Sequence, residues 1–206
     1  MPVRTADGRV PDVNISKIFI GAFLVNNILL MRFIALCSFF GVSTSLDTSV
    51  GMSAAVVFVT MLATWVCWTL WHALLLPLGL EFLRTAVFIL VIAGLVQFVE
   101  MFLKKYVRGL YSAMGIYLPL ITTNCAILAV TFLNVDYGYN LLQATIYSLG
   151  VGGGYSLAIV LFAAIRERLE DSPITASFRG YPIAFVGASL ISLAFLGFAN
   201  LFGISV

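Results

Sequence analysis

Residues 51–76 read GMSAAVVFVTMLATWVCWTLWHALLL, a run without a single Asp, Glu, Lys or Arg. A helix of roughly 20 apolar residues crosses the hydrocarbon core of a bilayer, so this stretch alone sets the class of the protein. Strands of a membrane barrel alternate apolar and polar residues, and this run does not. A backbone surrounded by lipid satisfies its hydrogen bonds within the segment, which leaves the helix. The same reading extends outward to residues 18–42, 82–103, 110–133, 142–165 and 182–202, with the charged residues gathered between them. The expected fold is all-α and polytopic, with about six transmembrane helices. Residues 1–17 form a polar tail, and residues 18–206 form a single transmembrane domain.

Composition agrees. Hydrophobic residues make up 62% of the chain and charged residues 10%, and the mean hydropathy is +1.09. A soluble domain carries about 25% charged residues, and a soluble fold of this size could not cover its surface with so few. The formal net charge of +2 is too small to suggest a nucleic-acid partner. The tail mixes acids and bases and lacks the pattern of a cleaved signal peptide.

Basic residues concentrate on the cytoplasmic side of membrane proteins. Lys104, Lys105 and Arg108 lie between spans three and four, and Arg166, Arg168 and Arg179 lie between spans five and six. The opposite side receives Arg4, Arg9, Lys17 and Arg84. This modest excess places the two basic loops in the cytoplasm and both termini outside it.

Two spans depart from a plain apolar helix. Span one contains Asn26 and Asn27, then Arg32, Cys37 and Gly41; span four contains Pro119, then Thr122, Thr123, Asn124 and Cys125. Proline removes a helical hydrogen bond, and nearby amides and hydroxyls can take over the freed backbone groups. Both spans are therefore expected to be broken or re-entrant. Polar interruptions at matching places in two halves point to an inverted repeat, here about residues 18–105 and 106–206. An odd number of helices in each half makes the second run opposite to the first.

Of the three cysteines, Cys67 sits among Trp65, Trp68 and Trp71 and reads as a small buried apolar residue. Cys37 and Cys125 sit in the broken spans. If the breaks meet at a pseudo-two-fold axis, these two face each other. Buried packing, a disulfide and a metal centre all remain open on the residues alone. Thiolates select iron–sulfur clusters, zinc or cuprous ions. A two-iron cluster commonly takes four cysteines, so a partner would have to supply the rest.

The other polar residues have simpler readings. Arg32 either offsets an anionic cofactor within the membrane or, if the helix breaks before it, reaches the interface. Glu100 precedes Lys104 by four residues, the favourable helix pairing, and Glu167 lies between Arg166 and Arg168, so surface pairing is expected for both. His72, beside Trp71, reads as an interfacial anchor. Gly150 and Gly152–Gly154 lack the lysine and the preceding strand of a phosphate loop; close helix packing is the expected role.

Four stretches carry a resemblance. Residues 32–43 read RFIALCSFFGVS, residues 97–101 QFVEM, residues 118–126 LPLITTNCA and residues 161–169 LFAAIRERL. Together they resemble the A-type subunit of the Rnf (also Rsx) electron-transport complexes, which is homologous to the E-type subunit of the sodium-translocating NADH:quinone reductase. The likeness covers nearly the whole chain after about residue 18. The tail before it is longer than the family leads one to expect.

The resemblance implies a membrane subunit of an ion-translocating ferredoxin:NAD oxidoreductase in the bacterial inner membrane. It implies that Cys37 and Cys125 bind the iron of a 2Fe–2S cluster, the other two ligands coming from the inverted homologous E-type subunit. The B-, C-, D- and G-type subunits are the further partners implied, carrying flavins, other iron–sulfur clusters and the NAD site. No catalytic residue is expected on this chain. The competing readings are a small secondary transporter, whose broken helices would look alike, and a cofactor-free structural membrane subunit.

Overall fold

A computed structural model describes residues 15–25, 27–43, 45–79, 81–106, 124–170, 173 and 180–199. The sequence readings made on residues 1–14, Asn26, Arg108, Pro119, Thr122, Thr123 and Arg179 lie outside the described residues. Within them the chain is helical, with no strand. The helices are α1 (Ile15–Ile20), α2 (Leu36–Val42), α3 (Leu46–Leu70), α4 (Arg84–Tyr106), α5 (Cys125–Asp136), α6 (Leu141–Glu170) and α7 (Tyr181–Ala199).

Three helices, Leu46–Leu75, Arg84–Met101 and Leu141–Leu169, are long and apolar enough to cross a membrane; Ile15–Val25, Cys125–Asp136 and Tyr181–Gly197 are shorter apolar helices. Helix ends run past the hydropathy limits. α3 begins at Leu46 rather than at Gly51, and α6 continues through Arg166, Glu167 and Arg168 to Glu170. Hydropathy marks the part of a helix that lipid solvates, whereas the helix itself ends only where its backbone is interrupted. At the far end of α3 the interruption is Pro77. The helix widens into a π turn at Trp71–Leu75 before it, and Gly79 ends the run at φ 65°. A left-handed residue at that position is the usual helix stop, and glycine adopts it without a Cβ clash.

α3 and α6 form the most extensive helix pair and carry the centre of the bundle. Most of the remaining contacts fall in corresponding sets, that of α5 with α6 excepted. α1 packs on α6 while α5 packs on α3, and α7 touches the π turn Gly21–Val25 after α1 while α4 touches α5. The glycines of α6 make the first of these contacts possible. A Cβ on Gly150 would stand 2.9 Å from Ala22 Cβ, and one on Gly154 only 2.6 Å from the carbonyl oxygen of Phe23. Backbone is thus pressed on backbone, as small residues permit in membranes, and the packing role expected for this glycine run is the one it has. Outside this centre, Leu90 and Phe98 of α4 and Phe185, Leu190 and Leu193 of α7 are exposed apolar side chains. Such a surface suits lipid or another membrane protein.

Polar contacts tie the ends of the bundle. Arg84 Nη1 lies 2.6 Å from Asp136 Oδ1, joining the start of α4 to the end of α5. The Arg84 guanidinium also lies over the Phe132 ring, 4.8 Å from its centroid. Arg166 Nη1 donates to Phe40 O at 3.0 Å and to Ser43 Oγ at 2.9 Å, joining the end of α6 to the end of α2. Trp68 Nε1 donates to Tyr139 O at 2.9 Å, and His72 stacks on Trp68 with its Nδ1 3.0 Å from Trp68 O. His72 is thus held in an aromatic anchor at the end of α3.

Candidate functional site

Span one is broken where the sequence places its polar residues. The helix that starts at Ile15 widens into a π turn over Gly21–Val25 and stops. Asn27, fully buried, then holds the turn that follows. Its Oδ1 accepts from Leu29 N at 3.1 Å and Leu30 N at 3.4 Å, and its Nδ2 donates to Gly154 O at 2.8 Å. Both ends of the amide are satisfied, as a buried polar group in an apolar bundle requires. Ser192 Oγ of α7 donates to Leu30 O at 2.7 Å and secures the same turn. Phe33 and Ala35 take positive φ values of 53° and 70°, a strained conformation for residues with a side chain. Helix α2 starts directly after Ala35 and places Cys37 in its first turn.

In span four the described residues open on a helix start. Asn124, in an extended conformation, caps α5: its Oδ1 accepts from Ala126 N at 3.0 Å. Asparagine at this position satisfies one of the open N–H groups of a new helix. Cys125 is the first residue of α5; the part of span four before Asn124, on which the expected break also rests, lies outside the described residues.

The two starts meet. Ala35 N donates to Cys125 Sγ at 3.0 Å, and Cys37 is close enough to Cys125 for the two thiols to interact. Both thiols are free and both lie on the exposed surface of the chain, whereas Cys67 is free and buried in the core. The sequence-predicted pair is therefore brought together and Cys67 is kept apart. No group of three or more His, Cys, Asp or Glu side chains gathers among the described residues, so these two thiols are what the described chain offers to a soft metal.

The surrounding polar groups were less legible. Tyr155 of α6 donates its phenolic O–H to Ser38 Oγ at 2.9 Å, and Ser38 Oγ donates to Ala35 O at 2.9 Å. Tyr155 and Ser38 are buried. The only sequence signals for them were the adjacency of Ser38 to Cys37 and a tyrosine ending the glycine run. Asn124 Nδ2 is buried and has no hydrogen-bond partner among the described residues. Arg32 lies on the surface of the chain. The helix ends before it, its side chain is exposed, and its Nη2 donates to Tyr137 OH at 3.4 Å. Arg166, expected as a loop charge, instead serves the open carbonyl end of α2, where a cation suits the helix dipole.

The family model described as "Rnf-Nqr subunit, membrane protein" matches residues 15–202. The chain belongs to this family. A protein of Syntrophotalea carbinolica, named as the A subunit of an ion-translocating oxidoreductase complex, is 50% identical over 188 residues, covering 91% of this chain and 97% of the relative. Proteins of the same name from Serratia proteamaculans and Yersinia enterocolitica are 51% and 50% identical over 184 residues, each match covering 89% of this chain and 95% of the relative. The resemblance carried by the four sequence stretches is thus to the family that the whole chain matches. Those stretches of this Rnf-Nqr protein hold the two cysteine-bearing helix starts and Arg166.

Proposed function

We propose that this chain is the A-type subunit of an ion-translocating oxidoreductase complex, and that Cys37 and Cys125 supply half the ligands of a 2Fe–2S cluster inside the membrane. It is a membrane subunit of a redox-driven translocase, with no substrate chemistry of its own. One observation carries the metal reading: two free thiols, brought together at the starts of α2 and α5, lie on the surface of the chain rather than in its core. Thiolate is the donor that iron–sulfur centres take, and four are usual. Two ligands at an exposed edge suit a site completed across an interface between subunits. Two further features fit the group. Ala35 N–H already points at a ligand sulfur, and the buried Asn124 Nδ2 beside Cys125 has a hydrogen to give.

When bound, such a cluster supplies a one-electron store partway across the apolar layer. The chain's own residues bind it and hold it still. Cys37 and Cys125 bind iron. The N-terminus of α5 and the Ala35 N–H favour negative charge on the sulfurs. Phe39, stacked on Phe162 at 4.2 Å between ring centroids, packs α2 against α6.

The inverted repeat belongs to the same proposal. Exchanging α1 with α5, α3 with α6 and α4 with α7 preserves most of the helix contacts, the contact of α5 with α6 excepted, which supports a pseudo-two-fold axis in the membrane plane. The completing partner is then a homologous subunit in the opposite orientation, which brings its own two thiols to the same edge.

Two experiments follow. Expressed alone, the chain is expected to bind little iron, and co-expression with its inverted homologue should restore a stoichiometric centre. A full cluster in the single purified chain would overturn the shared site. For orientation, a reporter active only outside the cytoplasm, fused after Val206, is expected to give signal, because the basic residues around Lys104 and Arg166 stay inside. Signal from a cytoplasm-only reporter at that position would reverse the topology.

A further inference from the structure

We infer that Tyr155 is a positioning residue for the metal centre, acting through Ser38 and Ala35 to set its reduction potential. The inference rests on the reading of Cys37 and Cys125 as iron ligands. Three hydrogen bonds run in series. Tyr155 O–H donates to Ser38 Oγ at 2.9 Å, Ser38 O–H donates to Ala35 O at 2.9 Å, and Ala35 N–H donates to Cys125 Sγ at 3.0 Å. The last contact crosses from span one to span four, so the direction of one N–H bond depends on how firmly Ala35 is held.

Ala35 is not held by its own preference. Its φ of 70° is one that an alanine rarely adopts. Left alone, it would relax toward negative φ and turn its N–H away from the sulfur. Two bonds to its carbonyl oppose this: the helical bond from Phe39 N at 3.1 Å and the Ser38 hydroxyl. Ser38 can act as donor to Ala35 only if its rotor points there, and the Tyr155 O–H fixes that rotor by occupying the acceptor side of the oxygen. Donating and accepting at the same hydroxyl strengthen each other. Tyr155 is buried on α6, the helix whose glycine backbone also receives Asn27. One helix therefore sets both ends of the break.

The consequence is electrochemical. A hydrogen bond to a ligand sulfur favours the reduced cluster, which carries the extra electron, and so raises its potential. Loosening Ala35 weakens that bond and lowers the potential while the thiolate ligands remain.

The test uses the assembled complex and an EPR-monitored redox titration with iron content measured on each sample. Tyr155→Phe is expected to keep its iron and shift the midpoint potential downward. Ser38→Ala should shift it at least as far, and the double variant should shift it by less than the sum of the two, because the two side chains share one route to Ala35. Tyr147→Phe, on the same helix, should leave the potential unmoved. If Tyr155→Phe fails to assemble, Ser38→Ala decides alone. An iron-replete Tyr155→Phe or Ser38→Ala complex with the potential of the unaltered protein would overturn the inference, as would fully additive shifts. Absence of the cluster signal from the unaltered complex is a different result, and it would count against the ligand reading instead.

Discussion

Changing Cys37 or Cys125 to serine is expected to remove the iron centre and stop electron transfer through the assembled complex, while Cys67→Ser leaves both intact. The three positions are chemically identical and differ only in place. Cys37 and Cys125 lie together at the chain surface on two helix starts, whereas Cys67 is packed in the core of α3. Serine offers a harder oxygen that holds an iron–sulfur centre poorly, so losing one of two ligands from this side should lower the iron content and the turnover by at least about tenfold, the low end of the loss that follows from disturbing a metal site's outer shell alone. Cys67→Ser exchanges a buried sulfur for a hydroxyl in an apolar setting, at a cost of about 1–2 kcal/mol in stability. Iron analysis and EPR of the reduced complex, run for each variant beside turnover, check the pattern. Loss of the centre in Cys67→Ser with retention in the other two would reverse the ligand assignment.

The second large effect concerns the fold that holds the site. Gly154→Ala would put a Cβ 2.6 Å from Phe23 O, a backbone atom that cannot swing aside. The same residue accepts the Asn27 amide through its carbonyl. Separation of α1 from α6 would strain that bond and leave the Asn27 amide unpaired. The expected cost is about 2–4 kcal/mol, combining overpacking with a buried unpaired donor. Gly94→Ala in α4 is the contrast, since nothing lies within 4 Å of its added Cβ. There the better helix propensity of alanine should stabilise by up to about 1 kcal/mol. Thermal unfolding of the purified complex in detergent is expected to move in opposite directions for the two variants. Equal shifts would mean that the α1–α6 contact is looser than described.

What the sequence disclosed followed from which force dominated each segment. Lipid solvation dominates the spans, so residues 51–76 and 142–165 were legible as helices from their apolar composition alone. It does not govern helix ends, which is why α6 runs on through Arg166 to Glu170. The break in span one was legible because Asn27 is too polar for an apolar helix without a task, and its task proved to be capping the turn that follows it. The pairing of Cys37 with Cys125 was open on the residues, since facing depends on how two separate spans pack. Tyr155 and Ser38 were hidden for the same reason. Their hydrogen bond joins residues 117 positions apart, and no local pattern encodes such a contact. Arg32 was ambiguous until the helix end before it was fixed, after which its place beside Tyr137 followed.

The most direct measurement of the ligand claim is mass-spectrometric alkylation of the intact, iron-replete complex, repeated after the iron is removed. Cys37 and Cys125 are expected to resist the reagent while iron is bound and to react once it is gone, with Cys67 unreactive in both states because it is buried. Full alkylation of Cys37 and Cys125 in a complex that keeps its iron and its electron transfer would contradict the reading that these two thiols hold the metal.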